Sequence, residues 1–409
     1  MVPKGWRFCK LADISRVTSG GTPNRAISEY WQNGTIPWIR TTEVQNCILQ
    51  PEDAKEYISE LGLRKSSAKL IPENTILLAM IGQGKTRGQI ALLKFEAAIN
   101  QNCAAIIFGK SQEPEFYYHY LLSQYENIRN LSNSAGQSNL SGALVKAINV
   151  LVPPYNEQKK IAQILSTWDK AISVTEKLLT NSQQQKKALM QQLLSGKKRL
   201  LDENGVMFSG EWEVVRLKQL IHEEKKRNRD NHIQRVLSVT NHSGFVLPEE
   251  QFSKRVASED VSTYKIVKKN QYGYNPSRLN VGSFARLDNY DEGVLSPMYV
   301  VFSINHERLN SDYFLNWMSS NEAKQRIAGS TQGSVRDSVG FDALCSFSFS
   351  LPTLMEQQKI AAVLSAADAE MSMLEKKLAC LKEEKKALMQ QLLTGKRRVN
   401  VESEETVSA

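Results

Sequence analysis

EQKKIAQILSTWDKAISVTEKLLTNSQQQKKALMQQLLSGKKRL, at residues 157–200, returns as EQQKIAAVLSAADAEMSMLEKKLACLKEEKKALMQQLLTGKRRV at residues 356–399. The copies lie 199 positions apart with no insertion or deletion, and 24 of their 44 aligned residues are identical. Neither copy contains proline. Glycine comes only at Gly196 and Gly395, where a left-handed residue typically ends a helix. The repeat therefore predicts two long helices of the same kind.

Apolar residues recur in each copy in alternating steps of four and three, which is the a/d spacing of a coiled coil. The predicted seam consists of Ile161, Leu165, Trp168, Ile172, Leu179, Leu189, Leu193, Ile360, Leu364, Met371, Leu374, Leu378, Leu381, Leu388 and Leu392. Core helices of an α-rich protein would also be amphipathic. However, the order globular segment, helix, globular segment, helix favours a pseudo-twofold relation in which the seams meet as an antiparallel pair. We therefore predict an α+β fold, with two mixed α/β domains separated by an antiparallel coiled coil of the two repeated helices.

Length and composition are those of a soluble protein with two or three domains. No run approaches the roughly 20 apolar residues of a membrane span, and the start MVPKGWRFCK lacks the apolar core of a signal peptide. We therefore expect a cytoplasmic protein without a membrane partner. The 5 cysteines are scattered and form no CxxC pair, so reduced thiols and no zinc site are expected.

The net charge of +9 raises the question of a nucleic-acid partner. Counted as basic against acidic residues, the two helical copies hold 9 against 3 and 9 against 6, whereas residues 1–156 hold 16 against 12 and residues 201–355 hold 18 against 19. Phosphate contacts of the globular segments must then come from local clusters. The basic helix ends at residues 197–199 and 396–398 either lie along a phosphate backbone or complement the helix dipoles.

Two stretches of the first globular segment are rich in hydrogen-bond donors. Arg40, Thr41 and Thr42 follow a predicted strand, and the glycine-rich stretch GQGKTRGQ at residues 82–89 lies between two more. The latter is no P-loop, because Ala79 stands where the first glycine of that motif belongs. It is either a solvated hairpin loop or a loop that offers glutamine, lysine and arginine to phosphates and base edges.

The second globular segment has its own candidate loops. KKRNR at residues 225–229 is a cationic loop or a helix face, and YGYNPSRLNV at residues 272–281 leads into GSFARL at residues 282–287. A polar stretch, residues 329–340, matches residues 133–142 of the first segment in position. Thr353 and Glu356 have the spacing of a capping box at the start of the second helix.

No catalytic constellation is found in the sequence. The histidines show no HExxH or paired ligand spacing. VPPY at residues 152–155 and NPSR at residues 275–278 each repeat only part of the adenine-methyltransferase motif, and no glycine-rich cofactor turn accompanies them. We therefore expect that the chain alone transfers no methyl group.

These motifs together carry a family resemblance across nearly the whole chain. The helices open with EQKKIAQILS and EQQKIAAVLS and close with KKALMQQLLSGKKRL and its twin. Before them stand GGTPN, YWQNGTIPWIRTTEV and GQGKTRGQIALL in the first segment, and YNPSRLNVGS and VLSPMYVVF in the second. This order resembles the specificity subunit of a type I restriction-modification system.

The resemblance implies a division of the chain into target-recognition and helical parts. These are target-recognition domain 1 at 1–155, conserved coiled-coil helix 1 at 156–200, a linker at 201–209, target-recognition domain 2 at 210–353, conserved coiled-coil helix 2 at 354–399, and an acidic tail at 400–409. A seam from Ile161 to Leu193 is about 48 Å long at ~1.5 Å per residue. It is long enough to hold the two target-recognition domains one DNA turn apart, which is about 34 to 36 Å.

The resemblance also implies function and partners. Each target-recognition domain would read one half of a bipartite site in double-stranded DNA, and the coiled coil would set the spacer and dock two modification subunits. These would methylate adenine with S-adenosylmethionine, and restriction subunits would add ATP-driven translocation and cleavage. The chain itself would be non-catalytic and would hold no cofactor and no metal.

Loop residues with donor-rich side chains are the expected DNA contacts. They are Arg40, Thr41, Thr42, Gln83, Lys85, Arg87, Gln137, Arg227, Asn275, Arg278, Asn280, Ser283, Arg286 and Arg336. Other readings of the chain are a specificity protein of a related DNA-modification defence system, a coiled-coil scaffold without DNA readout, and an enzyme with a methyltransferase or nuclease centre of its own.

Overall fold

A computed structural model describes residues 2–82, 84–134, 139–251, 260–331 and 338–401. The chain divides into two compact units. The first unit combines residues 1–176 with residues 376–409, and the second unit is residues 177–375. Each unit therefore holds the start of one repeated helix and the end of the other.

The first unit is a mixed α/β structure. Its strands are β1 (Arg7–Lys10), β2 (Ser15–Ser19), β3 (Ile36–Ile39), β4 (Cys47–Leu49), β5 (Tyr57–Ile58), β6 (Leu70–Ile71), β7 (Thr75–Ala79), β8 (Ile90–Leu93), β9 (Ala97–Ile99), β10 (Cys103–Phe108) and β11 (Asn149–Val152). Its helices are α1 (Glu60–Arg64), α2 (Pro114–Ser123), α3 (Tyr125–Ser134), α4 (Gly142–Lys146) and the first part of α5 (Tyr155–Leu193).

The main sheet of the first unit has the strand order β2-β10-β7-β8-β4. Its pairs are antiparallel except for β4 with β8, which run parallel. Strand β7 has the sequence TILLA, and all of its residues are buried because it lies between two neighbours and is covered by helix α2. A second sheet of order β5-β3-β9-β6 and the pair β1-β11 complete the unit.

The second unit is also mixed α/β. Its strands are β12 (Glu213–Arg216), β13 (Ile221–Glu223), β14 (Ser238–Thr240), β15 (Gly244–Val246), β16 (Lys265–Lys268), β17 (Tyr272–Tyr274), β18 (Phe284–Arg286), β19 (Glu292–Leu295), β20 (Val300–Ile304) and β21 (Ser348–Leu351). Its helices are α6 (Pro248–Gln251), α7 (Ser311–Ser319), α8 (Asn321–Thr331), α9 (Phe341–Cys345) and the first part of α10 (Leu354–Leu392).

The central sheet of the second unit, β13-β20-β17-β18, repeats the order β2-β10-β7-β8 of the first unit. The small pair β12-β21 likewise repeats β1-β11. The equivalence extends to single hydrogen bonds, since Leu11 N–H donates to the Ile148 carbonyl and Leu217 N–H to that of Phe347. What differs is the flank. Strand β8 pairs with β4, whereas the hairpin β14-β15 contacts β18.

The two repeated helices end just before the glycines expected to stop them, several residues before the ends of the predicted helical segments at residues 200 and 399. Helix α5 ends at Leu193 and helix α10 at Leu392, and the turns that follow place Gly196 at a φ of 69° and Gly395 at 68°. A left-handed residue at each stop was expected, and it is confirmed. A Cβ on Gly395 would lie 2.4 Å from the side chain of Pro3, so a substitution there would also clash.

A tryptophan, a glutamate and an arginine join the helix ends to each unit. In the first unit, the carboxylate of Glu157 accepts hydrogen bonds from Trp6 Nε1 at 3.1 Å and Arg398 Nε at 3.0 Å. In the second, the carboxylate of Glu356 accepts from Trp212 Nε1 at 3.1 Å and from Arg199 Nη2 at 2.8 Å. We call these the Trp-Glu-Arg clusters.

The Glu356 cluster also corrects one expectation. Thr353 Oγ1 does accept from Glu356 N–H at 3.4 Å, so the residue caps the helix as predicted. The Glu356 side chain, however, bonds to Arg199 and Trp212 and does not close the reciprocal half of a capping box. The ion pair with a guanidinium outcompetes the weaker bond to a neutral backbone N–H.

Within each unit, contacts between the two repeated helices run in opposite chain directions. Lys385 pairs with Asp169 at 2.5 Å and Lys382 with Glu176 at 2.7 Å in the first unit. In the second, Lys186 pairs with Asp368 at 2.5 Å and Ser182 Oγ donates to Glu370 at 3.5 Å. None of the predicted seam residues is exposed. The fully buried ones, Ile161, Leu165, Leu193, Ile360, Leu364 and Leu392, stand near the helix ends, where they join the cores of the units.

A buried histidine packs beside this helix pair in the first unit. His119 on α2 is 1% exposed, and its Nε2 lies 3.5 Å from Ser166 Oγ and 3.7 Å from Asp169 Oδ2. Burial, together with the smaller effect of the nearby Lys385 charge, lowers the pKa of His119 to about 3, whereas Glu115 acts in the opposite direction. The side chain is therefore neutral near pH 7.

Several element predictions need correction. The amphipathic pattern of residues 115–130 predicts one helix, but the structure has two, α2 and α3, with Gln124 between them in a non-helical conformation. The basic stretch at residues 225–229 is not a helix face but an extended segment that bridges to Lys265. Among the described residues, no helix has the length and hydropathy of a membrane span.

Candidate nucleic-acid interface

Residues 82–89, which we call the first loop, connect the antiparallel strands β7 and β8. Gly82, Gly84 and Gly88 all have positive φ angles. The chain reverses direction here, and residues with a side chain would be strained at these φ angles. Hydrogen bonds close the base of the loop, from Gly88 N–H to the Ala79 carbonyl and from Ala79 N–H to that of Gln89, both at 2.9 Å. The loop thus stands on a fixed base.

Helix α3 supports the tip of the first loop. The hydroxyl of Tyr125 donates to the carbonyl of Lys85 at 2.6 Å, and Arg129 Nη1 donates to the same hydroxyl at 3.0 Å. Lys85 itself is exposed, and among the described residues its ammonium has no ion-pair partner. Arg87 is half-buried, and Gln83 lies outside the described residues.

The donor cluster after strand β3 is held inside its own unit. Arg40 pairs with Glu43 at 2.9 Å and with Glu56 at 2.5 Å, and Thr42 Oγ1 donates to Glu43 at 2.9 Å. Burial alone would raise the pKa of Glu43, but hydrogen bonds from Arg40 and Thr42 outweigh it and leave that pKa lowered. Thr41 is half-buried. Two carboxylates of the same unit therefore hold the Arg40 guanidinium.

Residues 275–283, the second loop, occupy the matching place between strands β17 and β18. Asn275 caps the 3-10 helix Pro276–Val281 by accepting from Ser277 N–H at 3.0 Å, and Gly282 closes it with a φ of 89°. Arg278 and Asn280 are exposed on this turn. Among the described residues, no ion pair neutralises the Arg278 guanidinium.

Each loop also accepts or adjoins an equivalent backbone hydrogen bond from the polar stretch of its unit, residues 133–142 in the first and residues 329–340 in the second. Leu140 N–H donates to the Met80 carbonyl at 2.9 Å, and Val339 N–H, 199 positions later, donates to the Pro276 carbonyl at 3.0 Å. Gln137 and Arg336 belong to these polar stretches but lie outside the part of the chain that the structure describes.

Two further predicted contacts of the second unit have partners in the protein. Ser283 is buried and donates to the Val239 carbonyl at 2.8 Å. Arg286 pairs with Asp288 at 2.6 Å and Asp312 at 2.7 Å. Burial opposes the Arg286 charge, but the two carboxylates outweigh it and raise its pKa. Neither side chain is free for a base in this arrangement.

Arg227 lies on the extended segment at the same end of the sheet as the second loop. It is exposed, and its Nη1 donates to the Thr263 carbonyl at 2.9 Å. The neighbouring Lys265 donates to the carbonyl of Tyr299, directly before β20, at 2.7 Å. Burial lowers the pKa of Lys265, and the charges of Arg227 and Lys225 lower it further, against the effect of Glu223.

Sequence reasoning missed the groups that lie beside the loops. Nothing local shows that the Tyr125 hydroxyl reaches the Lys85 carbonyl, 40 positions away, or that Arg129 bonds to that hydroxyl. The turn at residues 241–243 was also missed, although the sequence NHSG between LSVT and FVL is typical of a hairpin. Among the described residues, no group of three or more histidine, cysteine, aspartate or glutamate side chains could hold a metal.

The chain matches the family described as type I restriction modification DNA specificity domain over residues 3–181 and again over residues 209–383. The EcoR124I/EcoR124II specificity subunit of a type I restriction enzyme from Escherichia coli is 30% identical over 174 residues, which are 41% of this chain and 42% of that protein. The alignment thus spans less than half of that relative.

A longer alignment joins the chain to the type I restriction enzyme MjaVIII specificity subunit of Methanocaldococcus jannaschii. It covers 97% of this chain and 94% of that protein at 22% identity. Among solved structures, the S subunit of the type I restriction-modification system from M. genitalium aligns over 96% of this chain and 99% of that chain, with a TM-score of 0.59 and 14% identity. The similarity in structure shows a shared fold.

Proposed function

The chain belongs to the family of type I restriction modification DNA specificity proteins, and from this premise we propose that it is a DNA sequence-specificity subunit in which each unit reads one half of a two-part site. One observation carries the proposal. Both units place a loop at the same position of the same sheet order, and each loop exposes a cation that has no ion-pair partner within the described part of the chain, Lys85 in one and Arg278 in the other.

The loops supply the two kinds of contact that DNA recognition needs. Lysine and arginine neutralise phosphates and fix the register of the protein on the duplex, whereas amides and guanidinium groups match the edges of purines in the major groove. The frameworks of the two units agree while the loop sequences differ, as two readers of different half-sites require. Arg40, Ser283 and Arg286 then act by shaping the units, and Lys85, Arg227, Arg278 and Asn280 are the contacts we rank first.

The repeated helices are assigned the role of a spacer. We infer from the heptad spacing that they form one antiparallel coiled coil, and the opposite chain direction of the side-chain contacts in each unit supports this inference. Their outer faces would dock two modification subunits, which supply S-adenosylmethionine chemistry, and restriction subunits would join the same complex. Recognition then belongs to this chain, and methylation and cleavage belong to its partners.

Mapping of methylated adenine in cells that express the chain with its modification partners tests this function. We expect a two-part motif with a fixed gap of unspecified bases. Modification without any sequence preference, or a single continuous motif, would contradict the proposal. A scaffold without DNA readout would give the former result.

Insertion of one heptad in each repeated helix tests the spacer. Seven residues add about 10 Å of helix at ~1.5 Å each, which is about three base pairs of DNA at 3.4 Å per step. We expect the gap of the motif to lengthen while both halves keep their sequence. An unchanged gap in a complex that still assembles would refute the spacer role.

A further inference from the structure

The hairpin β14-β15 presents polar groups at the end of a well-supported turn in the second unit. Val239 and Phe245 of the hairpin are buried in a core cluster of that unit. Ser243 N–H donates to Thr240 Oγ1 at 3.0 Å, and Gly244 turns the chain with a φ of 63°. Asn241, His242 and Ser243 are therefore exposed on a turn whose base is fixed.

This turn, residues 241–243, lies directly beside the second loop. A Cβ on Gly282 would stand 3.6 Å from the Cβ of Asn241. The bond from Ser283 Oγ to the Val239 carbonyl ties the end of the loop to the first strand of the hairpin. The amide of Asn241 and the side chains of Arg278 and Asn280 are thus carried by two adjoining segments.

A cavity of about 590 Å³ opens between these segments and the helices α7 and α8. Its apolar floor is formed by Leu279, Phe284, Met318 and Ile327. Asn241, His242, Asn280 and Lys324 stand on its walls, and among the described residues no carboxylate lines it. The walls therefore offer hydrogen-bond donors and a cation without a competing negative charge, as a polyanion requires.

From these contacts we infer that the 241–243 turn is a second DNA-contacting element of the second unit. In this assignment, Asn241 and His242 meet base edges and Lys324 meets a phosphate. An asparagine amide can bond to both N6 and N7 of adenine, and a lysine ammonium suits a phosphate but carries no sequence information. The assignment rests on the proposed function and adds to it the residues by which one half-site is distinguished.

DNA is favoured over a small anion because of how the polar groups are distributed. The donors are spread over a turn, a loop and a helix, and Asn241, His242 and Asn280 are all exposed. A small anion requires donors that converge on one point, as at the end of a helix or in a backbone nest. A duplex instead presents base edges and phosphates side by side, so it can meet donors that are spread over several segments.

The test compares Asn241→Ala, His242→Ala and Lys324→Ala in the full chain assembled with its modification subunits. Binding is measured with DNA libraries that randomise one half-site at a time, at several salt concentrations. We expect each of the first two variants to lose about 5- to 150-fold discrimination at one or two base pairs of a single half-site. The other half-site should keep its selectivity.

Lys324→Ala should behave differently from the turn variants. It should weaken binding to all sequences to the same degree and lower the slope of log affinity against log salt by about one. Asn241→Asp keeps the shape of the side chain but removes its donor and adds a negative charge, so it should reduce affinity further. A melting curve checks that each variant is folded.

His306→Ala is the matched control. His306 is exposed and follows the far end of strand β20, whereas the second loop lies beside the first residue of that strand, so the control should leave both half-sites unchanged. Wild-type selectivity and affinity in all of the turn variants would overturn the inference. A folded turn variant that no longer assembles with the modification subunits would also overturn it, because the turn would then be a protein contact. A wild-type complex without sequence preference would instead refute the proposed function itself.

Discussion

The first and second loops occupy the same place in the two units but are supported differently. The first loop is braced by a helix, through the hydroxyl of Tyr125 and the guanidinium of Arg129. The second is capped by its own Asn275 and tied to a hairpin through Ser283. The sheet beneath the two loops is the same. The repeated framework therefore sets where each loop lies, and the segments that flank it set which of its side chains are exposed.

The framework itself is not equally protected in the two units, and this gives the largest expected effect. In the Trp-Glu-Arg clusters, the side chain of Arg199 is 20% exposed and that of Arg398 is 42% exposed. Loss of one partner from a buried ion pair costs about 3–5 kcal/mol. We expect Glu356→Gln to approach that range in the second unit, and Glu157→Gln to cost about 1–3 kcal/mol in the first, because water solvates Arg398.

Hydrogen exchange in urea, read separately on peptides of each unit, measures this difference. Each variant should loosen the unit that holds its glutamate. Equal losses in the two variants would show that exposure of the arginine does not decide the stability of the cluster, and a larger loss for Glu157→Gln would contradict the prediction.

The pH dependence of the two units should differ because of His119. Its pKa is near 6.5 in an unfolded chain and about 3 in the folded unit, so below pH 6.5 only the unfolded state binds the proton. Stability is full above pH 6.5 and falls by about 1.4 kcal/mol per pH unit below it, or about 2 kcal/mol at pH 5. The second unit has Asn316 at the equivalent sixth position of helix α7 and should lack this slope.

The variant His119→Asn makes the first unit resemble the second at this position. Unfolding measured between pH 7 and pH 5 avoids most carboxylate titration. A slope that persists in the variant would assign the pH dependence to other groups.

Smaller effects are expected at the exposed cations of the two loops. Lys85→Ala and Arg278→Ala should each remove one phosphate contact and lower the salt slope of DNA binding by about one. Arg286→Ala is the control, because this arginine already pairs with Asp288 and Asp312 and should leave the slope unchanged. Salt titrations of the assembled complex would refute the ranking if Arg286→Ala changed the slope and Arg278→Ala did not.

The smallest effect should come from the brace of the first loop. Tyr125→Phe removes the bond to the Lys85 carbonyl, which is worth about 0.5–1.5 kcal/mol, and affinity for one half-site should fall by at most about tenfold. Tyr155→Phe, at an exposed residue that starts helix α5, is the matched control. Equal losses at both half-sites would show that Tyr125 acts on the whole protein and not on the loop.

The sequence predicts features that depend on local spacing. The repeated helices follow from the apolar steps, and their stops follow from Gly196 and Gly395, since these signals lie within a few residues of what they determine. The position of the first loop between two strands follows from its glycines in the same way.

The state of individual loop side chains could not be predicted from the sequence. Arg286 looks like a free cation, but its partner Asp312 stands on a helix 26 positions away. Arg40 is bound by Glu56 in another strand connection, and Ser283 is buried by a hairpin that begins 45 positions earlier. Long-range packing decides whether a polar loop residue is a contact or a support, and no local pattern records it.

The division of the chain has a consequence for synthesis on the ribosome. The second unit is continuous in sequence, so its core can close as soon as residues 177–375 have emerged. The core of the first unit contains Leu392 and Leu393, and Arg398 completes its cluster with Glu157. The unit that is translated first therefore completes its core last, after the final stretch of the chain has emerged. Until then its apolar surface is exposed, and in that interval it most needs protection from aggregation.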